Sequence, residues 1–221
     1  MKKPSSPATA ALPGRPRSEQ ARRAVLDATR DLIHEGGYAA ATIESIAARA
    51  GVAKTTIYRW WPNRPTLVVD VVMEVAEERV PRPVGRDPLR ALRTELRGIA
   101  SVADSLLGKM LTSLLGEAQR DPAVRAALID GIFHPRSAAS ARAIRQARDE
   151  GALRKDVPPE LAVDLLVGPL FYRMFVGHQP VTQEFVEQVF HHVLTGLRVP
   201  EDARKSTRAK RPARRPATRR R

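Results

Sequence analysis

Apolar residues recur along this chain at spacings of three and four, never with the sustained alternation of a half-buried strand, and this predicts helices throughout. Val25, Ala28, Leu32 and Ile33 make the buried stripe of a first helix, capped by Ser18 and stopped near Glu35 by Gly36-Gly37. Thr42 caps a short second helix, Ile43 to Ala50, with Ile46, Ala47 and Ala50 on one face. Gly51 then reverses the chain, because glycine accepts left-handed backbone at almost no steric cost. A third helix begins near Lys54 and closes at Trp61-Pro62, since a residue before proline is pushed out of the helical region. Asn63 opens a long fourth helix to about Glu78. Leu67, Val68, Val71, Val72 and Val75 form its apolar face, and Glu74, Glu77, Glu78 and Arg79 lie outside it.

PRPVGR, residues 81–86, reads as a linker. Beyond it, Asp87-Pro88 and Asp121-Pro122 each pair a capping aspartate with proline at the first helical position. They open helices at 88–104 and 122–149, with another at 106–119 between them. Gly151 ends the long one, Pro158-Pro159-Glu160 opens a helix to about Val176, and Thr182 caps the last, to about Leu197. The fold class predicted is all-α, with about nine helices.

The pair of helices around Gly51 carries the chemistry. Val52 and Ile57 are placed to lock the second member across the first, and small Ala47 sits where steeply crossing helices come closest. Lys54, Thr55, Thr56, Tyr58, Arg59 and Trp60 remain on the outside. Hydroxyl donors, cations and flat rings on one helix suit phosphate contact and base-edge reading in a major groove. A glycine between two helices also occurs in domains that bind no nucleic acid, so the surroundings decide.

Those surroundings are specific. RRAVLDATRDLIHEGG at 22–37, Tyr38, TTIYRWWPNR at 55–64 and the apolar helix after them resemble the tetracycline-repressor (TetR) family, strongly over Ser18 to Arg79. PELAVDLLVGPLFYR at 159–173 resembles, more weakly, the penultimate helix of one branch of that family's C-terminal regulatory domains. The resemblance implies a helix-turn-helix DNA-binding domain at 18–80 and an effector-binding and dimerisation domain at 87–200, and the charge distribution sets off a basic arm at 1–17 and a basic tail at 201–221. It implies a sequence-specific transcriptional regulator, foremost a ligand-responsive repressor acting as a homodimer on a near-palindromic operator. It also implies that Tyr58 hydrogen-bonds a phosphate and that Trp61 is a buried ring. Ala53 departs from the serine cap of many relatives, a bond typically worth ~1 kcal/mol.

On that reading the DNA-facing set is Arg15, Arg17, Thr42, Lys54, Thr55, Thr56, Tyr58, Arg59, Trp60 and Arg64. Lys54 and Thr56 fall where a recognition helix meets bases and their flanking phosphates. Arg59 and Trp60 extend the backbone clamp, and Arg64 opens the fourth helix, where free N–H groups face an anion. Arg15 and Arg17 read equally as a minor-groove arm or a solvated tail. The dimer candidates are Leu165, Phe171, Phe185, Val189, Phe190 and Val193. Val181, Phe185, Val189, Val193 and Leu197 make a ridge at spacing four, and the preceding helix is apolar nearly all round. A larger monomeric core is the plain alternative. Candidates for lining an effector pocket are Met110, Leu114, Phe133, His134, Tyr172 and Phe175, with plain core residue the better single reading of each. Gly168-Pro169 should kink its helix, either shaping a cavity or admitting a close neighbour.

Composition narrows the partners further. The net charge of +14 is concentrated at the ends: residues 1–17 hold +4 and residues 201–221 hold +8, while 18–200 carry 24 Lys/Arg against 22 Asp/Glu. Both arms are rich in Pro, Ala, Ser and Thr and are expected to be disordered without DNA. The C-terminal arm favours non-specific DNA affinity by counterion release over another polyanion or mere solubility. With no cysteine, no apolar run of bilayer length and no long N-terminal apolar stretch, the expectation is a cytoplasmic, nucleoid-associated protein without a membrane partner. No cofactor beyond an unidentified small-molecule effector is expected, and no metal: His191 and His192 diverge by ~100° on a helix, and the other histidines are isolated. No GxSxG, HExxH or glycine-rich phosphate loop occurs, so an enzyme is not expected. The rival is a nucleoid-type coating protein driven by its basic arms.

Overall fold

Glycine, aspartate and threonine punctuate the chain much as their backbone preferences dictate. A computed structural model describes residues 15–198, with side chains from Glu19. The helices are α1 (Arg15–Ala40), α2 (Ile43–Ala50), α3 (Lys54–Trp60), α4 (Arg64–Arg79), α5 (Pro88–Val102), α6 (Leu106–Glu117), α7 (Pro122–Leu128), α8 (His134–Asp149), α9 (Pro159–Val176) and α10 (Gln183–Leu197). A π-helical turn, Ile129–Phe133, joins α7 to α8 within the stretch expected as one helix. Among the described residues the only β feature is an isolated bridge between Leu153 and Arg198. No single helix among them is long and apolar enough to cross a membrane.

The caps act as their side chains allow. Thr42, Asp87, Asp121 and Thr182 accept from the backbone N–H of Ser45, Arg90, Ala123 and Phe185, and Asn63 accepts from Thr66. Ala53 offers α3 no side-chain bond. Gly51 is left-handed at φ 65°, as the reversal requires. Gly36 and Gly37 leave helical geometry inside α1, so its regular part stops where the glycines predict. Its start differs: the backbone is helical from Arg15, which puts Ser18 inside the first turn and not at the cap. The arms at 1–14 and 199–221, and the side chains of Arg15 and Arg17, lie outside the described residues.

Two compact units form. Residues up to Glu74 gather with Ser113–Gly131, and Val75–Thr112 gather with the residues from Ile132 onward. The division therefore falls after Glu74, ahead of the linker at 81–86. The physical reason lies in the first unit, where Leu114, Ala118, Val124 and Leu128 are buried and Gly131 abuts α4. A Cβ on Gly131 would stand 2.4 Å from Val69 Cγ1, a separation only glycine avoids.

In the first unit α1 packs on α2 and α3, closing over Val25, Leu26, Ile46 and Ile57. Within the second, α5, α8, α9 and α10 enclose a core that includes Leu92, Leu96, Ile144, Leu166, Leu170, Val186 and Leu194. That core carries one buried ionic cluster. Glu95 on α5, only 3% exposed, accepts from Ser140 Oγ at 2.8 Å. Arg136 Nη1 faces its other oxygen at 3.8 Å, and Arg136 Nη2 donates to Ala76 O and Val80 O, each at 3.2 Å. A single guanidinium thus both faces a buried acid and satisfies carbonyls at the end of α4. Gly98 admits the chain leaving α4, since a Cβ there would meet Pro81 Cδ at 2.9 Å.

Candidate nucleic-acid interface

On α3 the fully buried Ile57 and the adjoining buried Trp61 fix which face turns inward. Helical spacing then leaves Lys54, Thr55, Tyr58, Arg59 and Trp60 exposed, with Thr56 half-buried. Tyr58 is 52% exposed and Trp60 37%, two large rings held toward solvent on one seven-residue helix. Exposed aromatic surface flanked by cations is unusual for a face with no partner. The structure therefore brings six of the ten predicted DNA-facing residues onto one short helix.

Thr42 and Arg64 are engaged within the protein, and the side chains of Arg15 and Arg17 lie outside the described residues. Thr42 is committed to its cap: its Oγ1 accepts from Ser45 N at 3.1 Å and lies 3.0 Å from Ser45 Oγ. Arg64 lies across the Tyr38 ring, its guanidinium carbon 4.0 Å from the centroid, a cation–π contact. Burial pushes the Tyr38 phenol above its ordinary pKa, against the pull of Arg64. Lys54 donates to Glu44 Oε1 at 2.5 Å, and Arg49 donates to Glu35 Oε1 at the same distance.

The support behind α3 was only partly foreseen. Trp61, 3% exposed, donates from Nε1 to Asp70 Oδ2 at 2.7 Å, tying the end of α3 to α4. Glu74 accepts from Arg23 at 2.5 Å and Arg30 at 2.8 Å, joining α4 to α1. Arg22 lies 5.8 and 5.7 Å from the ring centroids of Trp60 and Trp61. The acids Asp70 and Glu74 follow each other at spacing four on the polar side of α4, the one signal that pointed to them. Trp61→Phe keeps an aromatic ring but removes the hydrogen bond to Asp70, whose exposed carboxylate returns to water. It should lower unfolding free energy by about 1–3 kcal/mol in a urea titration; a loss near zero would show that the bond carries no weight.

Other predictions scatter. Val189 is buried in the second unit's core with Val186 and Leu194. A strict spacing of four drifts ~40° per step around a helix, so the supposed five-residue ridge cannot stay on one face. Phe185, Phe190 and Val193 are half-buried against that core, and Phe185 lies under the Arg173 guanidinium at 3.3 Å. Phe171 stacks at a tilt on Phe133, centroids 5.6 Å apart. Leu165 is 44% exposed and shares a face of α9 with Leu161, Tyr172, Phe175 and Val176, all exposed.

The six effector candidates are divided between the two units. Leu114 is buried in the first unit, and Met110 in the second; His134 is exposed. Tyr172 and Phe175, 61% and 53% exposed, line no interior in this chain, because the opposite face of α9, with Ala162, Val163, Leu166 and Leu170, is the buried one. A cleft of about 480 Å³ in the first unit is lined by α4 residues Thr66, Val69 and Asp70 and by Ala126, Ala127 and Asp130. None of the six contributes to it. Through Gly168-Pro169 the helix is unbroken, and Gly168 faces open space on the exposed side.

Comparison with known proteins matches residues 25–71 to the family described as "Bacterial regulatory proteins, tetR family" and residues 86–193 to "Tetracyclin repressor-like, C-terminal domain". The uncharacterised HTH-type transcriptional regulator YdeS of Bacillus subtilis is 30% identical over 184 residues, 83% of this chain and 93% of its own. The HTH-type transcriptional repressor KstR of Rhodococcus jostii is 35% identical over 99 residues, 42% of this chain and 47% of its own. A crystal structure of a TetR family transcription regulator superposes with a TM-score of 0.69 at 32% identity, covering 82% of this chain and all of the other.

Proposed function

The chain belongs to the TetR family of DNA-binding transcriptional regulators, and from that premise we propose that it is a ligand-responsive repressor whose α3 reads one half of a near-palindromic operator. The observation that carries the reading is the outward face of α3, where Lys54, Thr55, Tyr58, Arg59 and Trp60 are exposed over a fully buried Ile57. Lys54 and Thr56 are assigned to bases and their flanking phosphates, Tyr58, Arg59 and Trp60 to the backbone. Repression is named for the relative KstR, described as a repressor.

A single helix of seven residues reads too few base pairs to select one site in a genome. Dimerisation supplies the second half-site, about one helical turn, ~34–36 Å, from the first. The exposed apolar face of α9 supports that assembly. An effector acts by favouring the state that does not fit DNA, which requires differential affinity of a few kcal/mol between states.

Footprinting on the DNA flanking the chain's own gene tests this. A discrete near-palindrome should be protected, and Thr56→Ala should cost about 1–3 kcal/mol of operator affinity while leaving random-sequence affinity unchanged. Protection of no discrete site would refute the proposal. Binding that lacks sequence preference and disappears with residues 201–221 would favour a coating protein driven by its arms instead.

A further inference from the structure

We propose that Glu44 is a specificity-determining residue of the DNA-binding face, favouring the base-edge contacts of Lys54 over its contacts with flanking phosphates. This rests on the assignment of α3 to DNA. Glu44 stands in the first turn of α2, ten residues before Lys54, and its Oε1 lies 2.5 Å from the Lys54 ammonium. Both side chains are more than half exposed, and Lys54 belongs to the face of α3 assigned to DNA. The hydrogen bond from Lys54 holds the Glu44 carboxyl below the ordinary carboxylate range.

Geometry explains why the pair forms here. Lys54 is the first residue of α3, where a cation is repelled by the positive end of the helix. The first turn of α3 contains no acid and Ala53 provides no capping bond, so Glu44 is the anion that offsets this misplaced charge. Nothing within α3 takes that place.

The consequence is a difference between two acceptors. An ammonium has three N–H donors and gives one to Glu44, leaving two. The O6 and N7 of guanine are neutral acceptors and can take those without displacing the carboxylate. A phosphate is an anion and must settle beside another anion or expel it. Glu44 therefore lowers affinity for duplex in general more than for a site presenting the right base edge.

Fluorescence anisotropy with two labelled duplexes, the footprinted operator and a random sequence, tests the assignment across a salt series. Glu44→Gln should bind the random duplex between about two- and tenfold more tightly, with the slope of log K against log salt steeper by about one. Operator affinity should change by less than about twofold, so the specificity ratio falls. Adding Lys54→Met to Glu44→Gln should abolish the gain. Random-duplex affinity indifferent to Glu44→Gln, or a gain that survives Lys54→Met, would overturn the role of Glu44 alone. Failure of the unaltered protein to bind any duplex would overturn the assignment of α3 as well.

Discussion

Arg136→Met is expected to lower unfolding free energy by about 3–5 kcal/mol at pH 7.5, because it strands a buried carboxylate. Burial already raises the pKa of Glu95 above its ordinary value, with Ser140, Arg136 and Arg82 pulling it back down. Without Arg136, burial acts against two of those supports. Glu95 then escapes by taking a proton, which from an ordinary value near 4.5 costs about 4 kcal/mol at pH 7.5. Protonation thus sets the scale of the penalty. Ala76 O and Val80 O also lose their guanidinium donor.

The pH dependence follows from the direction of that shift. Between its unfolded and folded pKa values Glu95 binds more proton in the folded state, so stability falls as pH rises through that window. Removing Arg136 raises the folded value further and widens the window upward. The deficit of Arg136→Met should therefore shrink at pH 5.5 and grow at pH 8, and Glu95→Gln in the same chain should recover most of it. Urea unfolding at the two pH values measures this. An equal deficit at both would mean that no stranded charge is formed.

The second large effect concerns assembly. Leu165→Arg with Phe175→Arg should convert the protein to monomers and weaken operator binding by at least about a hundredfold, since linked half-sites add two to four powers of ten. Both side chains are about half exposed in one chain, so the protomer should keep its fold and helical circular dichroism. Leu161, Leu165, Tyr172, Phe175 and Val176 lie within ~60° of one line along α9, with Gly168 on the same side facing open space. A missing side chain at the middle of an apolar stripe lets another helix approach closely. Of the two readings open for Gly168-Pro169, close packing against a neighbour fits this placement. Sedimentation velocity distinguishes the outcomes, and a dimer that persists with both arginines would place the interface elsewhere.

What was legible in the sequence was local. Gly51, Asp87, Asp121 and Thr182 each act through backbone preferences within four residues, and the helix limits they set agree with the structure. Ile57 inward and Tyr58 outward follow from helical periodicity alone. Pairings across the fold were not legible. Lys54 with Glu44, Arg64 with Tyr38 and Arg136 with Glu95 are separated by 10, 26 and 41 residues. Spacing has no bearing on such meetings, which depend on how helices cross. The π turn was hidden for a similar reason: nothing in IDGIF breaks a helix, and Gly131 shows its purpose only beside Val69. The exposure of Tyr172 and Phe175 was not legible because a helix apolar nearly all round does not declare which side its own chain covers.

The adjacent indoles of α3's end have a practical outcome. The chain contains two tryptophans, Trp60 in the solvent and Trp61 beneath it, so all of its tryptophan emission arises in one corner of the first unit. The outer chromophore should be quenched or blue-shifted when a duplex covers it, and the inner one should shift to the red only when the surrounding helices come apart. Val75–Thr112 and the residues beyond Ile132 contribute nothing to that signal. A single unlabelled cuvette thus separates occupancy of the reading surface from melting of the module beneath it.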